Sequence, residues 1–226
     1  MGPEDHMGSI SKLERARLYL VAGAGNPQDH AGFKSVEDAV EGGVDILQLR
    51  DYSLKDSELL AMAHKFRALT RRYRILFIVN NRPDIARLSD ADGVHVGQDD
   101  LTVAQVRKII GEGKVVGVST HSLDQAQKAI SDGADYIGVG PVYPTPTKEG
   151  RPAVGLEYVR QVAGLHPSIP FFAIGGIHLS NIEEVLRAGA MRLAVVRAIT
   201  EAKDPKAAAE GLQKALDKGL AKTARS

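Results

Sequence analysis

The chain has 226 residues, 43% hydrophobic and 25% charged, which is the composition of a globular protein with one large core. A net charge of +1 excludes a global attraction to nucleic acid or to an anionic membrane, and the absence of cysteine excludes disulfides, thiolate metal sites and a cysteine nucleophile. No apolar run reaches the roughly 18–20 residues of a membrane span, and we expect a cytoplasmic protein without membrane partners.

In the first ten residues, apolar side chains do not recur at the spacing of a helix or a strand. They are polar and include a second methionine, Met7, followed by Gly8 and Ser9. This pattern indicates a disordered tag or N-terminal extension over residues 1–10. We therefore expect one domain over residues 11–226.

Apolar runs recur at similar spacing along the rest of the chain. Most are rich in Val, Ile and Leu, as expected for strands covered on both faces. They cover residues 17–22, 44–50, 75–80, 93–97, 115–120, 136–142, 171–177 and 193–199. Helical patterns lie between them, including residues 55–72, 83–88, a segment capped by Ser122, 180–188 and 205–221.

A strand–helix unit repeated eight times predicts an α/β fold, a (β/α)8 TIM barrel in a single domain. The alternative is an open Rossmann-like sheet, which needs a glycine-rich turn directly after an early strand. Gly23-Ala24-Gly25 is the candidate turn, but no third glycine follows in register. The barrel is therefore the favoured fold.

Polar residues follow the apolar runs, and in a barrel they would meet at one end. The active sites of such barrels lie at the C-terminal ends of the strands. The residues are Gln48, Arg50, Asn80, Asn81, Gln98, Asp99, Asp100, Ser119, His121, Thr145, Thr147, Lys148, Gly175, Gly176 and Arg197.

Two anion sites can be built from this set. Gly175 and Gly176, with the turn after Val196, suit a phosphate bound by backbone N–H groups, although the glycines could serve packing alone. Arg50, Lys148 and Asp100 suit a diphosphate held partly through Mg²⁺. The alternative for Asp99 and Asp100 is to cap a helix that starts near Thr102.

Two histidines lie close to these strand ends. His121 has the chemistry of a general acid or base, but we expect a capping or solvent-exposed role for it. His95 lies inside a strand, where we expect it to be a core or supporting residue.

The sequence resembles the thiamine phosphate synthase family from about Arg17 to Pro205. The resemblance rests on successive motifs that occur in the family's order and spacing. The motif that ends at Lys148 is the most specific of them. They are Gln48-Leu-Arg50, Val79-Asn80, Ala91-Asp-Gly-Val-His-Val-Gly-Gln98, Gly117-Val-Ser119, Gly138-Val-Gly-Pro-Val-Tyr-Pro-Thr-Pro-Thr-Lys148 and Ala173-Ile-Gly-Gly-Ile177.

This resemblance implies a transferase of thiamine biosynthesis that joins an aminopyrimidine diphosphate to a thiazole phosphate and releases pyrophosphate. It assigns Gln48, Arg50, Asn80, Ser119 and Lys148 to the pyrimidine diphosphate, with Arg50, Lys148 and Ser119 acting in catalysis. Asp100 and Asn81 would be ligands of a Mg²⁺ cofactor, Asn81 standing where the family usually has an aspartate. The thiazole phosphate would contact Thr145, Pro146, Thr147, Gly176, Val196 and Arg197.

The chain departs from the family pattern at three positions. Tyr52 stands where a lysine is usual, Asn81 where an aspartate is usual, and Arg197 where a serine is frequent. Tyr52 removes a cation from the diphosphate site, and Asn81 removes a negative charge from the metal site. We expect weaker Mg²⁺ binding and slower ionisation of the substrate than in a typical member.

Two other functions remain open on the same barrel. One is a thiazole tautomerase-like paralogue that would use His121 as acid and base; the other is a non-catalytic binder of a phosphate ligand. The sequence also leaves open whether the thiazole is carboxylated and whether the chain forms a homo-oligomer.

Overall fold

The computed structural model describes residues 3–23, 30–145 and 152–223. Eight parallel strands are hydrogen bonded in chain order, and β8 pairs with β1 to close the barrel. They are β1 (Leu18–Ala22), β2 (Ile46–Leu49), β3 (Leu76–Asn80), β4 (Gly93–Val96), β5 (Val115–Thr120), β6 (Tyr136–Val139), β7 (Phe171–Ile174) and β8 (Leu193–Val195). The predicted (β/α)8 barrel is confirmed, and closure excludes the open Rossmann-like sheet.

Helices connect the strands along the outside of the barrel. None of those in the described ranges is long and apolar enough to cross a membrane. They are α1 (Pro3–Arg15), α2 (His30–Glu41), α3 (Asp56–Tyr73), α4 (Pro83–Leu88), α5 (Val103–Ile110), α6 (Leu123–Ser131), α7 (Gly155–Gly164), α8 (Ile182–Arg187), α9 (Arg197–Thr200) and α10 (Pro205–Thr223). Ser122 caps α6 as predicted, because its side chain accepts a hydrogen bond from the Gln125 N–H at 3.3 Å.

The helix α1 differs from the expectation for the start of the chain. It includes residues 3–10, for which the sequence predicts disorder. Its last turns bury Leu13, and the following Ala16 is buried with it against the interior of the barrel. The helix thus covers the N-terminal end of the barrel, while the assignment of residues 1–10 to a tag stays a prediction.

The last three strands end three to four residues before their apolar patterns do. The chain leaves β7 through Gly175 and Gly176, and Ile199 belongs to α9 instead of β8. Ile199 is nevertheless fully buried. An apolar run therefore marks burial correctly here but does not distinguish a strand from the turn or helix that follows it.

The interior of the barrel contains three aromatic rings packed among aliphatic side chains. Tyr19 and Tyr136 each pack edge-on against Phe172, with ring centroids 5.3 and 5.7 Å apart. Gly117 makes room for them, because a Cβ at that position would lie 2.0 Å from the Tyr136 ring. A second and larger apolar layer lies between the sheet and the helices.

Candidate active site

A cavity of about 330 Å³ opens at the C-terminal ends of the strands, within the range of ligand pockets. It brings together residues of all eight strands and of the loops that follow several of them. Several of the site residues predicted from the sequence line this cavity. They are Gln48, Arg50, Asn80, Ser119, Thr145, Gly175, Gly176, Val196 and Arg197. The cavity thus contacts both predicted anion sites.

Five other predicted residues are not among those that the structure shows at the cavity. Asn81 and Asp100 are described but are not among the residues that line the cavity. Pro146, Thr147 and Lys148 lie outside the described residues. Their assignments stay predictions from the sequence.

One side of the cavity mouth is organised around the exposed side chain of Tyr52. The Arg50 guanidinium carbon lies 4.8 Å from the centre of the Tyr52 ring, in a cation–π arrangement. The Tyr52 hydroxyl accepts hydrogen bonds from Asn80 Nδ2 at 3.0 Å and from Asn81 Nδ2 at 3.4 Å. Tyr52 therefore contacts the Arg50 cation, which follows β2, and two side-chain amides at the end of β3.

The turn after β4 is held by Asp100. Its Oδ2 accepts a hydrogen bond from the Gly97 N–H at 2.6 Å. The N-cap of α5 is Thr102, whose hydroxyl accepts from the Gln105 N–H at 3.3 Å. The alternative in which Asp99 or Asp100 caps this helix is therefore wrong.

The glycine pair after β7 has backbone angles that favour glycine, with φ of +104° at Gly175 and +64° at Gly176. A Cβ on Gly175 would lie 2.5 Å from the Pro141 Cα, and one on Gly176 would lie 2.7 Å from the Tyr143 Cβ. Conformation and packing thus suffice to require both glycines. The Gly175 carbonyl oxygen accepts a hydrogen bond from the Tyr143 N–H, and the Gly176 carbonyl oxygen accepts one from Asn181 Nδ2. The backbone groups that these glycines can offer to an anion are therefore their N–H groups.

His121 differs from its expected capping or exposed role. It is half-buried and lines the cavity. Its Nδ1 donates to the Gly140 carbonyl oxygen, which fixes the tautomer of a neutral ring and leaves Nε2 as the basic nitrogen.

A chain of hydrogen-bonded side chains lines the cavity and includes residues that the sequence does not single out. Gln48 Nε2 donates to the Tyr19 hydroxyl at 2.5 Å, and the Tyr19 and Tyr136 hydroxyls are 2.8 Å apart. His95 lies between Tyr136 and Ser119, with Nδ1 3.0 Å from the Tyr136 hydroxyl and Nε2 2.8 Å from Ser119 Oγ. Burial raises the pKa of both tyrosines, so both phenols are neutral at physiological pH.

The sequence does not single out Tyr19 and Tyr136 as site residues, because each of them belongs to an apolar run. The available signal is Gly117, a glycine inside the buried strand β5 that pairs in register with Tyr136. A glycine in such a strand marks a place where a large side chain approaches closely. His95 lines the cavity as well as supporting Ser119.

The model of the family described as thiamine monophosphate synthase matches residues 18–199. The chain belongs to this family. The matched residues span the barrel from β1 into α9 and include every residue that lines the cavity except Glu201.

Members of the thiamine monophosphate synthase family are similar over most of this chain. A thiamine-phosphate synthase of Thermus thermophilus is 47% identical over 204 residues, which are 88% of this chain and 97% of that protein. One of Thermosynechococcus vestitus is 47% identical over 93% of this chain. The chain spans only 54–58% of the length of that relative and of three others.

A solved structure of the same family has the same fold. The thiamine phosphate pyrophosphorylase of Pyrococcus furiosus superposes with a TM-score of 0.81 at 34% sequence identity. The superposition covers 93% of this chain and 98% of that chain.

The resemblance to the thiamine monophosphate synthase family implies a bound Mg²⁺ ion. The side chains of the described residues can be checked for oxygen atoms that could hold it. No group of three or more His, Cys, Asp or Glu that could hold a metal occurs within residues 3–23, 30–145 and 152–223. Asp100 offers one carboxylate, and the Asn81 amide directs its nitrogen to Tyr52, which leaves its carbonyl oxygen as a neutral ligand. Because Mg²⁺ is commonly held by one or two carboxylates plus substrate phosphates, these residues fit an ion that arrives with a diphosphate.

Proposed function

We propose that this protein is a thiamine phosphate synthase, which joins 4-amino-2-methyl-5-hydroxymethylpyrimidine diphosphate to thiazole phosphate and forms thiamine phosphate and pyrophosphate. The observation that carries the proposal is the convergence of Gln48, Arg50, Asn80 and Ser119 with Gly176 on one cavity. These residues come from opposite sides of the barrel. Two substrates can therefore meet between them.

The pyrimidine diphosphate would occupy the side of the cavity formed by β2, β3 and β5. Gln48 and Ser119 are buried beside the cavity, which suits the ring, whereas Arg50 lies nearer the exposed Tyr52, which suits the diphosphate. Lys148 is proposed from the sequence as a second cation for the diphosphate. Its matched position in the Thr-Pro-Thr-Lys motif supports that role.

The thiazole phosphate would occupy the opposite side, after β6, β7 and β8. Thr145, Gly176 and Val196 line the cavity there, and the sequence adds Pro146 and Thr147. The Arg197 guanidinium lies 4.0 Å from the Glu201 carboxylate. We infer that Arg197 contributes mainly its backbone, since its charge already faces a carboxylate.

The proposed reaction requires stabilisation of a leaving diphosphate. The bond between the pyrimidine methylene carbon and the diphosphate oxygen breaks, and its electron pair leaves with the oxygen. The thiazole nitrogen then donates its lone pair to the carbon, so no proton has to be removed. Arg50 and Lys148 would act where negative charge develops, and Mg²⁺ held by Asp100 and Asn81 would supply further charge neutralisation when bound.

The direct test is to mix the purified protein with both substrates and Mg²⁺ and to follow pyrophosphate and thiamine phosphate. We expect product, and we expect Arg50→Ala to lower kcat/KM at least tenfold. Arg72→Ala is the matched control, because Arg72 stacks on Tyr73 at 5.5 Å and is not among the residues that line the cavity. No product at high enzyme concentration, with thiazole phosphate still bound, would indicate the non-catalytic binder instead.

His121 supports a second candidate function, the thiazole tautomerase-like activity. The ring lines the cavity, and its bond to the Gly140 carbonyl leaves a basic nitrogen, as an acid–base catalyst requires. Isomerisation of a thiazole phosphate tautomer by the wild type but not by His121→Ala would support it. Unchanged isomerisation in that variant would exclude His121 as the acid–base catalyst, and no isomerisation by the wild type would exclude the activity.

A further inference from the structure

His178 lines the cavity on the side of the glycine pair, although neither the sequence pattern nor the family resemblance gives it a role. It follows Gly176 by two residues, and its side chain is exposed. The thiazole phosphate of the proposed function would lie on this side of the cavity. An imidazole is therefore available where an anion is expected.

The side-chain amide of Asn181 determines where this imidazole carries its hydrogen. Asn181 Oδ1 accepts a hydrogen bond from the His178 backbone N–H at 2.9 Å, and its Nδ2 donates to the Gly176 carbonyl oxygen at 2.8 Å. Both bonds require the same orientation of the amide. Nδ2 also lies 3.2 Å from His178 Nε2, and since an amide nitrogen only donates, Nε2 is the acceptor.

The His178 ring in this arrangement is neutral. Because Nε2 accepts, the single ring hydrogen is on Nδ1, which donates to Ser180 Oγ at 2.7 Å. A proton added to Nε2 would face the hydrogens of the Asn181 amide, so that two donors would oppose each other. A protonated ring must therefore exchange Asn181 for an acceptor, and a phosphate in the cavity supplies one.

Positive charge is scarce on this side of the cavity. Among the described residues that line it, Arg50 and Arg197 are the lysine or arginine side chains, and Arg50 lies beside Tyr52 on the β2 side. Arg197 faces the Glu201 carboxylate at 4.0 Å, and Glu201 lines the cavity as well. A phosphate here would meet a carboxylate whose repulsion only a further cation can offset.

The ionisable groups on the elements around His178 do not supply that cation. The Tyr143 hydroxyl donates to Glu184 on α8 at 3.1 Å. Helix α10 approaches the adjoining Leu179, and there Lys214 lies 3.8 Å from Glu210. The further ionisable groups, on α8 and on the other walls of the cavity, are Glu183, Arg50, Tyr19, His95, His121 and Tyr136. The described groups nearest in the chain to His178 thus contribute no net positive charge.

We propose that His178 is a further ligand of the thiazole phosphate and that it binds the phosphate in the protonated form, so that one proton is taken up from solvent on binding. This inference rests on the proposed function, because it assumes that thiazole phosphate occupies this side of the cavity. The proton is added to Nε2, which exchanges the Asn181 amide for a phosphate oxygen. Nδ1 keeps its hydrogen bond to Ser180, and the new bond is a charge-assisted one.

Proton uptake follows because histidine changes its charge near neutral pH and a neighbouring anion favours the charged ring. By linkage, a ligand that prefers the protonated ring also binds more tightly as the pH falls. A neutral ring could instead receive a hydrogen bond from Ser180 at Nδ1 and carry its own hydrogen on Nε2. That alternative gives the same contact to phosphate without a proton, so the number of protons distinguishes the two.

The test measures proton uptake when thiazole phosphate binds without the pyrimidine diphosphate, and therefore without turnover. Calorimetry at about pH 7.5 in two buffers of different ionisation enthalpy gives the number of protons. A phosphate ester, with a second pKa of about 6, is already a dianion there. His178→Gln keeps a hydrogen-bonding amide without the charge, and His178→Lys supplies a permanent cation. His64→Gln is the matched control, because His64 is exposed on α3 and is not among the residues that line the cavity.

We expect the wild type and His64→Gln to take up between about half a proton and one proton per ligand, and His178→Gln to take up almost none. His178→Gln should bind about 5- to 10-fold more weakly, and His178→Lys should recover the affinity without proton uptake. Equal proton uptake by the wild type and His178→Gln would overturn the inference. So would weaker binding by His178→Gln with no uptake by the wild type, because the neutral ring would then be the ligand.

The same wild-type sample is assayed for thiamine phosphate production with both substrates. Product from a wild type that binds thiazole phosphate without proton uptake would show that the proposed function stands without this inference. Binding with proton uptake but no product would keep the role of His178 and overturn the synthase activity. A wild type that neither binds thiazole phosphate nor forms product would overturn both.

Discussion

Asn81 Nδ2 lies 3.4 Å from the Tyr52 hydroxyl, so the two positions at which this chain departs most from the family resemblance contact each other. The resemblance implies a lysine and an aspartate there, which carry opposite charges. A tyrosine and an asparagine replace that pair with a neutral hydrogen bond. The local net charge is therefore conserved, and the contact supplies a physical reason for both departures to occur together.

The variants Tyr52→Lys and Asn81→Asp are expected to act cooperatively. Asn81→Asp alone adds a metal ligand but brings a negative charge toward the diphosphate, and Tyr52→Lys adds the cation that balances it. We expect the double variant to raise kcat/KM, and to lower the Mg²⁺ concentration for half-maximal activity, by more than the two single variants combined. A coupling of about 0.5–3 kcal/mol is usual for residues in contact.

The measurement is a double-mutant cycle with the four proteins assayed across a Mg²⁺ titration. Metal binding is also measured by calorimetry in the presence of pyrophosphate, which does not depend on turnover. Additive effects within about 0.3–0.5 kcal/mol would mean that the contact has no functional consequence.

Tyr52→Phe separates the two contacts of this side chain. The variant keeps the ring beneath the Arg50 guanidinium and removes the hydroxyl that Asn80 and Asn81 contact. We expect an increase of about three- to tenfold in KM for the pyrimidine diphosphate, because the two amides lose one shared acceptor. Tyr52→Ala should cost more, since it also removes the cation–π contact, and equal effects of the two variants would assign the whole role to the ring.

Gly117→Ala is expected to destabilise the fold strongly. The new methyl group would lie 2.0 Å from the Tyr136 ring, inside a fully buried part of the barrel. Overpacking of this kind costs about 1–3 kcal/mol or more. The control is Gly164→Ala at the exposed end of α7, where a Cβ meets no atom within 4 Å and is expected to be neutral or mildly stabilising in urea unfolding.

Alkaline pH is expected to destabilise the protein through Tyr19 and Tyr136. Burial raises the pKa of both phenols above the ordinary value of 10.0, so above pH 10 the unfolded chain loses protons that the folded protein retains. The free energy of unfolding then falls by about 1.4 kcal/mol per pH unit for each such phenol. Below pH 10 both states hold these protons, and the phenols contribute no pH dependence.

Tyr136→Phe should therefore reduce the slope of unfolding free energy against pH between about pH 10 and 11, whatever it does to stability at neutral pH. Phe172→Leu is the matched control, because Phe172 packs against both tyrosines but has no titrating group. We expect that control to lose stability with an unchanged slope. Identical slopes in wild type and Tyr136→Phe would show that the phenol ionises in the folded protein.

The order of the elements and the strand-end residues could be predicted because both depend on local properties of the chain. Buried parallel strands need unbroken apolar runs, and helices need apolar residues at a period near 3.6. The residues that follow those runs, such as Gln48, Asn80 and Ser119, lie at one end of the barrel for topological reasons alone. The residue types at these positions also sufficed for the family resemblance.

The contacts across the barrel were decided by the tertiary structure. The chain from Gln48 to Ser119 joins residues of β1, β2, β4, β5 and β6, and no local pattern records which hydroxyl will lie beside which ring nitrogen. The contact between Tyr52 and Asn81 likewise depends on how two loops meet. Sequence periodicity reports which side chains are buried, whereas their partners are set by closure of the sheet, which brings distant strands to a common axis.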